Sequence, residues 1–180
     1  MNLKAKILIT SILVLSICAP VYAYESLQEV FNDAEPSGDY AKYIELDPQV
    51  EYFGDLYIDQ QMMVYIDGNG AIIHGSDSMA VFISFGDLTI TNCVIVGGQY
   101  GIYFGLNSSG KVYSNTIYQS GTCGISANYQ NMDKGVEVWD NIINDCAYGF
   151  TCIEEYHPAY IGYNTVYDAR VYRYAEWCPD

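Results

Sequence analysis

Three polar stretches of this chain hold the residues best suited to chemistry: GLNSSGK at 105–111, ANYQNMDKG at 127–135 and IEEYHPAY at 153–160. Together they gather Asn107, Tyr129, Asp133, Glu154, Glu155, Tyr156 and His157. Carboxylates combined with amide carbonyls form an oxygen-rich set that suits Ca2+, a hard cation. Tyrosine rings offer apolar faces on which a sugar can stack. His157, close to Glu154 and Glu155, has the makings of a general base or a ligand. The same composition also describes a plain solvated acidic loop surface. Which description holds depends on whether the chain brings the three stretches side by side. The other histidine, His74, lies in the glycine-rich turn IDGNGAIIHG and reads as a surface residue.

Charge and targeting narrow the field. Residues 1–23 read as an export signal, with basic Lys4 and Lys6, an apolar run from Ile7 to Cys18, and a small-x-small-like pattern at Val21-Tyr22-Ala23. The run is too short to span a bilayer comfortably. Residues 24–180 are therefore expected as a secreted, cell-surface or periplasmic domain with no membrane span. There, five basic residues (Lys42, Lys111, Lys134, Arg170 and Arg173) against 22 acidic ones leave a net charge of −17. Such a surface repels nucleic acid and anionic lipid headgroups. Cys18 leaves with the signal, and Cys93, Cys123, Cys146, Cys152 and Cys178 remain. Export permits disulfides, and an odd number leaves at least one thiol unpaired within the chain. The pairing itself stays open. No C-x-x-C occurs, which argues against a zinc ribbon or a thioredoxin-like site.

The elements that would position the polar stretches come from a repeat. KVYSNTIYQSGTCGISANYQ and VEVWDNIINDCAYGFTCIEE carry one spaced pattern. Its cores are Ile90 to Ile95, Val112 to Ile117, Val138 to Ile143 and Ile161 to Val166, with a weaker copy at Ile66 to Ile72. The fourth position reads Cys93, Asn115, Asn141 and Asn164, at spacings of 22, 26 and 23. Eight or nine residues later comes a glycine with an apolar neighbour: Gly101-Ile102, Gly124-Ile125 and Gly149-Phe150.

A unit this short cannot bury its own apolar stripe, and stacking copies solves that. The segments are short, β-branched, aromatic-rich and broken by Gly and Asn, so they read as strands. With no hairpin signals between them they form a parallel β-helix. About five rungs spaced about 4.8 Å apart make a rod on the order of 24 Å long. Asn115, Asn141 and Asn164 are expected at a bend, where Asn tolerates unusual dihedrals, with their amides joined in a ladder continued at Cys93. Tyr100, Tyr148 and Tyr172 fall at equivalent positions, Cys123 taking the fourth slot, and predict a stacked aromatic column. Insertions in a solenoid collect on one face, so the three polar stretches should project together.

Ser26-Leu27-Gln28-Glu29 is a capping-box pattern, followed by apolar residues at helical spacing and a stop at Pro36-Ser37-Gly38. It predicts a short helix over about 26–35 that covers the N-terminal end of rungs running over about 56–170. No comparable C-terminal cap is evident; Tyr172, Tyr174 and Trp177, or another protein, would close that end.

The cap helix SLQEVFNDAEPSGD, the YFGDLYI stretch, the turn IDGNGAIIHG and the N-x-I rungs together resemble the pectate-lyase-like superfamily of right-handed parallel β-helix proteins. The resemblance covers about 26–170. It implies an all-β, right-handed solenoid and leaves function open, because that superfamily includes lyases, hydrolases, epimerases, adhesins and surface proteins. Its enzymes imply residues that do not appear here. Acidic calcium ligands with clustered Arg and Lys have only Arg170 and Arg173 to draw on, both in the last rung. NTI at Asn115 and NTV at Asn164 lack the aspartate of the polygalacturonase pattern, and EEYHP only loosely echoes the epimerase motif. The reading is a non-enzymatic binding or structural module with no assigned catalytic residue, its partner an extracellular carbohydrate or a surface protein. The alternative is a small polysaccharide lyase or related enzyme acting on acidic glycans. Asn107-Ser108-Ser109 is also an N-glycosylation sequon, of consequence where the host glycosylates exported proteins.

Overall fold

The computed structural model describes residues 23–127, 135–152, 160–169 and 172–174. The chain starts with strand β1 (Ala23–Ser26) and helix α1 (Leu27–Asp33), then coils through six turns of three short strands. The first turn holds β2 (Lys42–Glu45), β3 (Val50–Phe53) and β4 (Leu56–Ile58), and the second β5 (Met63–Asp67), β6 (Ile72–Gly75) and β7 (Met79–Ile83). Next come β8 (Gly86–Thr91), β9 (Val94–Gly97) and β10 (Tyr100–Phe104), then β11 (Ser108–Tyr113), β12 (Thr116–Tyr118) and β13 (Cys123–Ala127). The fifth turn is β14 (Val136–Trp139), β15 (Ile142–Asn144) and β16 (Tyr148–Cys152), the sixth β17 (Tyr160–Gly162), β18 (Thr165–Tyr167) and β19 (Tyr172–Tyr174). Each strand pairs in parallel with its copies one turn away, giving three sheets that enclose the core. The copies expected at Ile66, Ile90, Val112, Val138 and Ile161 are turns two to six. The first turn, from Lys42, was not anticipated.

Columns of like residues fill the interior. Ile44, Ile66, Ile90, Val112, Val138 and Ile161 stack in register in the sheet of first strands. Tyr52, Ile73, Ile95, Ile117, Ile143 and Val166 stack in the sheet of second strands, and Leu56, Val81, Ile102, Ile125 and Phe150 in the third. Almost all are buried, and burying each contributes about 1.5–3 kcal/mol. Packing therefore dominates stability. The glycine pattern has a steric cause: a Cβ on Gly101 would lie 2.6 Å from the Gly124 carbonyl, and one on Gly124 would lie 2.6 Å from Ile143 Cγ2.

The amide ladder sits between the first and second sheets. Asn115 Oδ1 accepts the backbone N–H of Cys93, Asn141 Oδ1 that of Asn115, and Asn164 Oδ1 that of Asn141, each at 3.0 Å. The side-chain amides of Asn115 and Asn141 donate to the next carbonyl in the column and to backbone carbonyls, among them Ile90 and Val112. One expectation is corrected. The bend is not made by the ladder asparagines but by the residue before each, since Asn92, Ser114, Asp140 and Tyr163 take the left-handed conformation at φ 53°, 57°, 54° and 57°. The ladder residue spends its side chain on hydrogen bonds while its neighbour turns the chain.

Helix α1 closes the N-terminal end as expected. Ser26 Oγ accepts the Glu29 N–H at 3.3 Å, and Leu27 and Phe31 are buried. Gln28 Oε1 accepts the Tyr57 N–H at 2.8 Å, satisfying an edge donor of β4. Lys42 Nζ donates to the carbonyls of Asn32 and Ala34 at the helix end. Strand β1 pairs with β3 and becomes the seventh strand of the second sheet.

Candidate functional site

The repeat converts sequence position into place. Residues just after a third strand lie at the corner leading to the next first strand, and Gly105, Leu106 and Asn107 form such a corner between β10 and β11. Of the expected site residues, Asn107 is described: it is exposed, left-handed at φ 57°, at the corner between β10 and β11. Beside it lies a cleft of about 220 Å³ lined by Gln61, Met62, Met63, Gly86, Asp87, Asn107 and Ser109. Tyr129, Asp133, Glu154, Glu155, Tyr156 and His157 lie outside the described residues. Among the described residues, no three His, Cys, Asp or Glu side chains group as a metal site. The Ca2+ expectation rests on Asp133, Glu154 and Glu155 and so also falls outside them.

Aromatic side chains line all three outer faces, in two different arrangements. On the first-strand sheet, Tyr43 stacks on Tyr65 (5.0 Å, 10°) and Tyr113 on Trp139 (4.6 Å, 7°). Rings this close to parallel cover one another's faces. Burial and a hydrogen bond with Tyr113 push the Tyr65 hydroxyl well above the usual phenol range. On the third-strand sheet, Tyr57, Phe82 and Tyr103 form a column, with ring centroids 5.0 and 5.4 Å apart and planes tilted by 30° and 52°. Tyr100 meets Tyr103 edge-on at 83°. Tyr57 is exposed, Phe82 and Tyr103 are half-buried, and a cleft of about 230 Å³ lined by Asp55, Leu56, Tyr57, Ser78, Met79 and Phe82 borders the column. The expected register Tyr100, Cys123, Tyr148, Tyr172 holds. It does not stack Tyr100 on a copy of itself, because Cys123 stands in the next turn and Tyr100 packs on Tyr103.

A family model described as a right handed beta helix region matches residues 54–173. The chain belongs to this right-handed β-helix family. No curated protein and no solved structure gave a match.

For this β-helix protein the remaining reactive groups can be placed. His74 is not a free surface residue in a turn. It lies within β6, and its Nε2 is 2.7 Å from Glu51 Oε2 one turn below, beside the stacked rings of Tyr24 and Phe53. Cys93, Cys123 and Cys146 are free thiols and buried. Burial pushes Cys93 far above the usual thiol range and Cys123 up to about 12. Thiols held protonated are poor nucleophiles, so Cys93 and Cys123 serve as core packing, and Cys146 is buried in the same core. Cys152 is disulfide-bonded; Cys178 lies outside the described residues. So do Arg170, Lys134 and Trp177, and the side chain of Arg173.

Sequence reasoning missed the ring column of Tyr57, Phe82 and Tyr103. The residues share neither a motif nor a constant spacing, and only the strand register shows that they face the same way.

Proposed function

We propose that this protein is an exported, non-catalytic β-helix module that binds carbohydrate along its third-strand face. The observation carrying the reading is the column of Tyr57, Phe82 and Tyr103, its rings about one rung apart, with a cleft lined by Tyr57 and Phe82 at its edge. The C–H face of a sugar ring packs on such a surface, while polar groups at the edge fix orientation. Asp55 and Ser78 in the adjoining cleft supply an acceptor and a hydroxyl. A chain carrying −17 after residue 23 favours neutral glycans over polyanionic ones, unless a cation bridges them. Export is supported by the apolar, basic start of the sequence and by the disulfide at Cys152, a bond that persists in oxidising compartments. A glycan array with and without calcium tests the binding. Incubation with pectate, alginate and neutral glycans separates it from a lyase, since a binding module releases neither unsaturated nor reducing ends.

A further inference from the structure

We infer that Asn107 carries an N-linked glycan that covers the corner between the third- and first-strand sheets. This rests on the export reading above, because N-linked transfer takes place on exported chains. Asn107-Ser108-Ser109 has the acceptor pattern, and the structure adds three observations that a sequence match lacks. Asn107 is exposed, and its side chain has no hydrogen-bond partner among the described residues, so a bulky substituent breaks nothing. Its left-handed backbone at φ 57° sets it at the outer point of the corner. The same corner exposes apolar side chains in successive turns, with Met63, Phe85 and Leu106 exposed by 41, 38 and 56%. Met63, with Met62, also lines the cleft of about 220 Å³ that Asn107 lines, which puts apolar surface beside a seat for a first sugar. A sugar linked at Asn107 lies over this cleft and the apolar side chains at its edge.

Transfer joins Asn107 Nδ2 to the anomeric carbon of a lipid-pyrophosphate-linked oligosaccharide. The carbon–oxygen bond to pyrophosphate breaks, the lipid pyrophosphate departs with the bonding pair, and Nδ2 gives up one proton. Folding sets the order of events. Ser109 is 3% exposed and its hydroxyl is 2.8 Å from Asp87 Oδ2, while Ser108 is buried with its hydroxyl on the Gly105 carbonyl. The acceptor hydroxyl of the sequon is therefore locked away once β11 pairs with β8, and transfer precedes folding.

The test is mass spectrometry of the Asp87–Lys111 peptide, from protein recovered outside the cells that make it. The expected result is a hexosamine-containing mass, removed by peptide-N-glycosidase with conversion of Asn107 to Asp. Asn107→Gln and Ser109→Ala abolish it and Ser108→Ala keeps it. An unmodified peptide, in cells that glycosylate a control protein, overturns the proposal. If the chain stays inside the cell, the export reading fails instead, and the same chain behind a working leader then decides Asn107. Folded chain purified before the assay and offered to the transferase should remain unmodified; efficient modification would overturn the order of events.

Discussion

The side-chain carbonyl of Asn141 accepts two hydrogen bonds from Asn115, one from its backbone N–H at 3.0 Å and one from its amide at 3.1 Å. Asn141 in turn donates to the carbonyls of Val112 and Trp139, one in the turn below and one in its own. Replacing it with Ala removes partners from several buried groups at once. Leaving a buried donor or acceptor unsatisfied costs about 1–3 kcal/mol, so Asn141→Ala should lose about 2–4 kcal/mol in urea unfolding. Asn164→Ala should lose less, because Asn164 is half-buried and sits at the last described turn. Equal losses would show that the ladder is not what these asparagines contribute.

A second prediction compares a tightly enclosed glycine with a less crowded one. A Cβ at Gly124 would stand 2.6 Å from Ile143 Cγ2 and 2.9 Å from the Gly149 carbonyl, with backbone on one side and a core side chain on the other. Gly124→Ala should destabilise by about 1–3 kcal/mol, as overpacking does. Gly105→Ala meets the edge of the Phe82 ring at 3.1 Å, which can tilt away, and the Ile83 carbonyl at an ordinary contact of 3.4 Å, and should cost less. The comparison is read from denaturant midpoints of the two variants.

These two positions also show why the fold was legible. Turns three to six have two-residue corners between first and second strands, each a left-handed residue followed by Cys93, Asn115, Asn141 or Asn164. Short corners keep the aliphatic positions at constant offsets, so the repeat appears in the sequence. The first two turns use four-residue corners, Leu46 to Gln49 and Gly68 to Ala71. The offsets shift there and no asparagine marks the ladder position, which hid the first turn and weakened the second. The candidate site was less legible for a different reason. Faces are defined by register between turns, and Tyr57, Phe82 and Tyr103 have no common neighbours in sequence to reveal that they align.

Burial of thiols predicts sensitivity to alkali. The Cys123 thiol is pushed from the ordinary value of 9.0 up to about 12, chiefly by desolvation. A raised folded value means that the unfolded chain releases its proton first as pH rises. The stability tied to keeping Cys123 protonated is therefore fully present below pH 9.0 and is lost as pH climbs toward 12. One such site steepens the decline by about 1.4 kcal/mol per pH unit. Cys123→Ala lowers the denaturant midpoint at neutral pH by removing buried volume, and the gap to wild type should narrow at pH 10.5, where wild type alone loses the stability tied to the protonated thiol. Thiol reagents should label none of Cys93, Cys123 and Cys146 until the chain unfolds.

Ligand binding should depend on which aromatic face is altered. Tyr57→Ala and Phe82→Ala remove rings that line the third-strand cleft and should each weaken glycan binding at least about tenfold, the equivalent of about 1.4 kcal/mol. Tyr113→Ala and Trp139→Ala disrupt a closed pair on another sheet. They should cost stability, at about 0.5–1.5 kcal/mol beyond lost area, and leave affinity unchanged. Isothermal titration on the four folded variants decides. Loss of binding in the second pair alone would move the site to the first-strand face.

The cap gives a prediction that distinguishes local from global structure. Lys42 Nζ donates to the carbonyls of Asn32 and Ala34 at 2.7 and 2.8 Å, and lies 5.7 Å from the centre of the Phe31 ring. One side chain of the first turn thus satisfies acceptors at the end of α1, a helix too short to persist alone. Lys42→Met keeps the aliphatic stem and removes the donors. Hydrogen bonds to a charged group contribute about 1.5–3 kcal/mol, and partial exposure brings this pair to the lower end. Hydrogen exchange in Leu27–Asp33 should then quicken about tenfold, while β8 and β11, buried mid-rod, keep their rates. If those central strands quicken equally, the helix is no separable lid, and losing its tether unravels the whole coil.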